Sequence, residues 1–297
     1  MLLSLVSAFF PRQNLLIMSD TLALRALRFL PRNLISRAFG WIARRERPRF
    51  FVRPFMNWFS NRFGIDLTEA EKTMAEYPSL LALFTRRLKP GVRPIDEAPE
   101  ILISPVDAAV GAFGKIDAGK LVQAKGLEYT VAALLGDDEE AAKYVHGSFL
   151  TLYLSPKDYH RIHTPREGQV TRTIYEPGTL WPVNRAAVLN VPSLFAVNER
   201  VTTFLDAPDG EIAVSMVGAT NVGSIALAYD PLVSNCGGPR RDIDHRDQQI
   251  QVERGGDLGV FQLGSTVVLL IANPDFELNR FEPGQSVRLG TPIGKYA

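Results

Sequence analysis

The sequence predicts an α+β protein: a basic, amphipathic, helical N-terminal region followed by a mostly antiparallel β domain of barrel or sandwich type. Three observations predict it. Arginines crowd between residues 21 and 62, where apolar residues recur at helical spacing. A proline-punctuated stretch then runs from Lys89 to Pro99. Beyond it the chain turns to short β-prone runs separated by turn residues. With 297 residues, 46% of them apolar and 22% charged, the chain is long enough for a sizeable core, and wholesale disorder is excluded.

The net charge of +1 hides an uneven distribution. Ten arginines (25, 28, 32, 37, 44, 45, 47, 49, 53 and 62) stand against the single acid Glu46 between residues 21 and 62. That segment carries +9, which leaves −8 for the rest of a chain whose total is +1. Such asymmetry points one end of the molecule at an anionic surface. The opening run Met1 to Phe10 is too short to cross a hydrocarbon core of about 30 Å, and it lacks the basic start and cleavage site of a secretory signal.

Taken in order, Leu22, Ala26, Leu27 and Leu30 share a helical face, with Arg25 and Arg28 on another and Pro31 ending the helix near Arg32. Leu34, Ile35, Ala38, Phe39 and Ile42 form a second stripe, and Phe51, Phe55, Trp58 and Phe59 a third. Apolar stripes flanked by arginine suit helices lying in a lipid headgroup layer, and suit equally well helices packed on the protein's own core. Glu69 to Arg87 reads as helix, with Thr68 as N-cap and Glu71 closing a capping box, and Pro78 divides it in two. Strands are expected at Phe149–Leu154, Gln169–Tyr175, Val201–Leu205, Glu211–Val217, Val222–Leu227 and Thr266–Ile271, with a hairpin turn at Ala207-Pro-Asp-Gly210. Helix is weaker there, mainly at Val131–Leu135 and Glu139–Val145.

Candidate chemistry is sparse. Cys236 is the single cysteine, which removes an intrachain disulfide and any cysteine-based metal site. No Gly-rich phosphate loop, H-E-x-x-H or G-x-S-x-G is present. Three segments remain: Ser104-Pro-Val-Asp107, the run Tyr159-His160-Arg-Ile-His163, and Leu263-Gly264-Ser265-Thr266. An aspartate, a histidine and a serine that converge supply a nucleophile, its base and the group that orients the base. Each also has a plainer use: Asp107 caps a turn, and Gly264-Ser265 opens a buried strand. On an extended segment His160 and His163 point to opposite faces, so no metal site is expected.

Together these segments resemble the phosphatidylserine decarboxylases, in their long, membrane-associated bacterial form, from about Met18 to the C-terminus. Further matches are Gln123-Ala-Lys-Gly126, Asn198-Glu-Arg200 and Val217-Gly-Ala-Thr-Asn-Val-Gly-Ser224. The resemblance implies a proenzyme that cuts itself at Gly264-Ser265 into a large chain, 1–264, and a small chain, 265–297, which stay together as a heterodimer. It implies Asp107, His163 and Ser265 as the self-cleavage machinery. The Ser265 hydroxyl attacks the Gly264 carbonyl, the resulting ester eliminates, and the dehydroalanine left behind hydrolyses to a pyruvoyl group with loss of ammonia. That cofactor takes the amine of phosphatidylserine as a Schiff base and accepts the electrons freed with CO₂. Protonation and hydrolysis then give phosphatidylethanolamine. His160 is expected to be the general acid, on the ground that an imidazole near its ordinary pKa suits that task.

The implied partners are phosphatidylserine and an anionic membrane surface, and the implied place is the cytoplasmic face of the bacterial inner membrane, held peripherally. Nucleic acid is not expected, and homo-oligomerisation stays open. Translation is expected to begin at Met18, with residues 1–17 an extension, 18–88 the membrane-associating region and 89–297 the catalytic domain. Two rivals remain on residues alone: a serine hydrolase using Asp107, His163 and Ser265, and a lipoyl-like carrier or adaptor suggested by Pro283 to Gly294.

Overall fold

The computed structural model describes residues 31–124, 126–220, 224–262, 265–282 and 284–297, with Ser265 described by its backbone. The first amphipathic stripe, residues 1–17 and the expected start at Met18 lie outside them, as do Lys125, residues 221–223, Leu263, Gly264 and Pro283.

Two helices open the described chain, α1 (Arg32–Ala43) and α2 (Arg49–Phe63). Their small or inward residues, Ala43, Val52, Met56 and Phe59, meet Leu80, Leu83 and Phe84 of α3 (Leu80–Phe84) in a core cluster of their own. Gly64 ends α2 in a left-handed conformation, a usual helix stop. The expected helix from Glu69 is not formed. Ala70 bridges to Leu88, and the Glu71 and Lys89 amides donate to Arg87 and Glu69, so this stretch is extended. The capping box sits five residues later, on Thr73 and Glu76, around a single 3₁₀ turn.

The β domain centres on an open antiparallel sheet of nine strands, which takes in five of the six expected runs; the described part of the sixth, Ile225–Leu227, belongs to a separate small sheet. One side runs from β7 (Gly168–Glu176) to β8 (Arg200–Ala207), β9 (Gly210–Val217) and β14 (Ser265–Ile271). It continues through β5 (Ser148–Leu154) and β2 (Ala108–Lys115) to β16 (Ser286–Val287). At the other edge β7 carries β11 (Arg241–Asp244) and β12 (Ile250–Val252). Ala207 pairs with Gly210, so the expected hairpin turn closes β8 on β9. Among the described residues the sheet does not return on itself into a barrel, and the architecture is sandwich-like.

Alternation places Val267, Leu269 and Ile271 in one core and Val268 and Leu270 in the other, so β14 is buried on both faces. The first face is covered by two small sheets. One joins β1 (Ile101–Ile103), β17 (Pro292–Lys295) and β15 (Glu277–Leu278). The other joins β10 (Ile225–Leu227), β13 (Asp257–Phe261) and β6 (Arg161–His163). The second face packs on α4 (Val131–Leu135), α5 (Asp138–Ala142), α6 (Arg185–Asn190) and α7 (Leu194–Val197), beside the hairpin of β3 (Lys120–Ala124) and β4 (Leu127–Thr130).

Candidate active site

A tight turn follows β5. The Ser155 amide and hydroxyl both donate to Asp158 Oδ2 at 2.7 Å, and the Asp158 amide returns to the Ser155 carbonyl. The turn presents Tyr159 and His160 and leads into β6, which pairs with β13 so that His163 lies opposite Asp257. The His160 carbonyl accepts the Phe261 amide, and on the other side Ser265 pairs with Leu154. Phe261 and Ser265, on either side of residues 263–264, are therefore both held by the one segment Leu154–His160.

His160 is fully buried, its ring 4.0 Å from that of Phe84. Nδ1 lies 2.8 Å from the Asp158 carbonyl, which only accepts, so Nδ1 carries the hydrogen and Nε2 the lone pair. Nε2 is buried with no partner among the described residues. Burial pushes the imidazole down to about 3, with the Arg86 guanidinium adding to the effect. The premise of an ordinary pKa at His160 is thus corrected: the ring is neutral at physiological pH. Arg86, itself buried, donates to the Lys157 carbonyl at 2.9 Å and the Asp158 carbonyl at 3.3 Å, completing the cover over the turn.

His163 is on the opposite face of the extended segment, and no cluster able to hold a metal ion is found among the described residues. Its Nδ1–H donates to the Gly255 carbonyl at 2.8 Å, and its Nε2 accepts from the Tyr159 hydroxyl at 3.2 Å. Burial lowers its pKa too, against the opposing pull of the Gly255 hydrogen bond and Asp257. Gly255 must be glycine: its φ is +75°, and an added Cβ would lie 2.7 Å from Ile95.

Asp107 does not hydrogen-bond to His163. Its carboxylate takes Arg93 Nε at 2.9 Å, Arg93 Nη2 at 2.6 Å and the Leu289 amide at 2.9 Å. Arg93 also holds Glu69 at 2.7 Å, which meets Arg288 at 3.3 Å, and this pairing keeps Glu69 below the usual carboxylate range. The link to His163 runs through the backbone, because the His163 amide donates to Pro105 in the turn that Asp107 ends. Gly264 and the Ser265 side chain lie outside the described residues.

Other matched residues build the surroundings. Asn198 ties the Trp181 amide and carbonyl to the Gly218 carbonyl, each at 2.9 Å. Arg200 donates to the carbonyls of Ala133 and Leu134 at the end of α4. Gln123 joins β3 to the Val188, Val191 and Leu194 backbone. Sequence reasoning misses Phe84, Arg86 and Arg93. Arginines on an expected helix or linker read as solvated, and only the fold turns these inward.

The family model for phosphatidylserine decarboxylase matches residues 80–295. Among curated proteins, the phosphatidylserine decarboxylase proenzyme of Anaeromyxobacter sp. (strain K) is 47% identical over 280 residues, covering 93% of this chain and 99% of that protein. The proenzyme of the same name from Myxococcus xanthus (strain DK1622) is 42% identical over 283 residues, with 93% and 99% covered. That of Variovorax paradoxus (strain S110) is 42% identical over 287 residues, with 94% and 99% covered.

Proposed function

The chain belongs to the phosphatidylserine decarboxylase family and is a carboxy-lyase, and from that premise we propose how its residues make phosphatidylethanolamine and CO₂ from phosphatidylserine. This membership sets aside the hydrolase and carrier readings. The proenzyme cuts itself at Gly264-Ser265, and the new N-terminus at residue 265 becomes a pyruvoyl group. The observation that carries the reading is that Ser265 and Phe261, on either side of residues 263–264, are held by Leu154 and His160 of the one segment that leads into His163.

In the cut, His163 Nε2 gives up the Tyr159 hydroxyl and takes the Ser265 proton, while the serine oxygen bonds to the Gly264 carbonyl carbon. Gly255 holds the ring's orientation from Nδ1, and Asp107 acts as a positioning residue through the turn at Pro105. His163 returns that proton to the nitrogen of residue 265 as the C–N bond breaks, which leaves an ester and a free amine. Loss of the Ser265 Cα proton then expels Gly264 as a carboxylate, and water releases ammonia from the dehydroalanine.

Position 265 suits the resulting group. It opens a strand buried on both faces, and His160 Nε2 and Thr266 Oγ1 are buried polar atoms without described partners. When present, the pyruvoyl carbonyl supplies an electrophile for the substrate amine and a sink for the electron pair freed with CO₂. His160, neutral and with its Nε2 lone pair unpartnered among the described residues, is placed to relay a proton to the carbon that CO₂ has left, holding it only in passing because burial disfavours the charged ring. Phe84 and Tyr159 keep water from the two rings.

A diacyl lipid has to be met at its membrane. Leu34, Trp41, Phe50, Phe51 and Trp58 are exposed on α1 and α2, interleaved with Arg45, Arg47, Arg49 and Arg53. No helix among the described residues is long and apolar enough to cross a bilayer. This supports peripheral attachment to an anionic leaflet, the cytoplasmic face of the inner membrane. The test is a denaturing gel with mass analysis of the purified protein, followed by phenylhydrazine labelling. Two chains parting after Gly264, the smaller one labelled, are expected; an intact chain with an unaltered Ser265 would overturn the reading.

A further inference from the structure

α1 faces the β domain with small residues, Ser36 and Gly40, and between it and the loops beside the scissile linkage lies a cavity of about 90 Å³. Arg37 of α1 and Arg44, the residue that caps its C-terminal end, are seven residues apart, and both line it. Across from them stand Ser224, Ser234, Asn235 and Gln262. Arg37 Nε donates to the Asn235 carbonyl at 3.1 Å, and Arg44 Nη2 donates to Gln262 Oε1 at 2.6 Å. Neither guanidinium forms an ion pair with a carboxylate among the described residues, and no described acid lines the cavity. The far wall is fixed from behind: buried Glu199 takes the Asn235 amide, Ser234 Oγ takes the Ile225 amide at 2.9 Å, and the Gln262 amide donates to Ser224.

We propose that this cleft holds the phosphodiester of the substrate headgroup, with Arg37 and Arg44 as its cationic walls. The inference rests on the phosphatidylserine reading above and adds a specificity site to it. Two guanidiniums with N–H groups to spare fit a singly charged group with two free oxygens; the facing Gln262 and Asn235 are neutral, and Glu199 behind Asn235, which also feels Arg37, is buried, which raises its pKa. Position also fits. Gln262 is three residues from Ser265, at most about 10 Å of extended chain, so a phosphate here leaves the serine amine within reach of residue 265. The outer side of α1 exposes Leu34 and Trp41, which places acyl chains and headgroup on opposite sides of one helix.

The cleft carries its own reporter, because Cys236 lines it, is exposed and is the single cysteine. Alkylation of Cys236 by iodoacetamide is followed in the self-cleaved enzyme, with cleavage and decarboxylation confirmed beforehand. Failure of that check overturns the decarboxylase reading, whereas the protection and kinetic measurements test the cleft alone. Glycerophosphoethanolamine is expected to slow alkylation at least about threefold, whereas ethanolamine without phosphate has no effect. Arg37→Gln/Arg44→Gln should lose this protection and raise KM for a monomeric short-chain phosphatidylserine about tenfold, with kcat little changed and lysine at both positions restoring part of the loss. Short-chain substrate below its aggregation limit separates this effect from membrane attachment. An unchanged KM in the double glutamine variant, or protection by inorganic phosphate that persists in it, would overturn the proposal.

Discussion

His160 and His163 stand three residues apart, yet burial and hydrogen bonding give them different work. Both carry hydrogen on Nδ1, fixed by the carbonyls of Asp158 and Gly255, but the His163 lone pair is engaged by Tyr159 while that of His160 is not. His163→Ala is expected to leave the chain uncut on a denaturing gel. His160→Ala should still cut, then decarboxylate at least about 100-fold more slowly; an uncut protein would show that both rings serve the cut. Cutting requires neutral His163, whose pKa is lowered from 6.5 by burial. The rate of self-cleavage should therefore be level between pH 7 and 8, falling only as pH drops below the ordinary histidine range. Stability follows the same direction. The unfolded chain binds protons at these rings first, so stability is full above about 6.5 and declines as pH falls toward the value of about 3 at His160. Urea titrations at pH 7.5 and 5 measure that decline. Asp107→Ala leaves Arg93 and the Leu289 amide without their carboxylate, a loss of about 3 kcal/mol that should lower Tm as well as stop cleavage.

Among the elements, α1 and α2 divide their apolar residues between two environments. Val52, Met56 and Phe59 are core, while Phe50 and Phe51 are 82% and 62% exposed. Phe50→Ser/Phe51→Ser is expected to weaken flotation with anionic liposomes at least about tenfold, leaving Tm within about 2 °C because neither ring is buried in the fold. Flotation equal to the parent would remove these residues from membrane contact. The same elements show what sequence patterning captures. Long strands such as β5 and β14 are legible because alternating or continuous apolar residues leave little choice of structure. The capping box is misplaced from sequence because Thr68-x-x-Glu71 and Thr73-x-x-Glu76 are equally good locally, and pairing of Ala70 with Leu88 decides between them. Short α6 and α7 carry too few turns for a period to show. At the site, motifs mark the histidines and Asp107, but the partner of Asp107 stays hidden. That Arg93 of the linker faces inward depends on contacts 14 and 24 residues away in sequence.

On the scale of the whole molecule, the expected cut falls at the start of a strand hydrogen-bonded on both sides. β14 pairs with β5 over seven residues and with β9 over six, while β16 and β17 hold the remainder of the small chain to β2 and β1. The two chains should therefore co-elute in native gel filtration and separate only in denaturant; dissociation in plain buffer would contradict this arrangement. Tertiary pairing of this kind joins segments far apart in the chain, which is why local patterning yields strands without their order.

The amide of Leu289 on Asp107 ties the site to the timing of synthesis. A ribosome-bound polypeptide whose residues from 286 onward have not emerged lacks that donor and the strand that docks beside β1, so its reactive linkage waits in an unassembled pocket. Stalled nascent chains ending before residue 286 should remain whole, and emergence of the segment through β17 should start the clock.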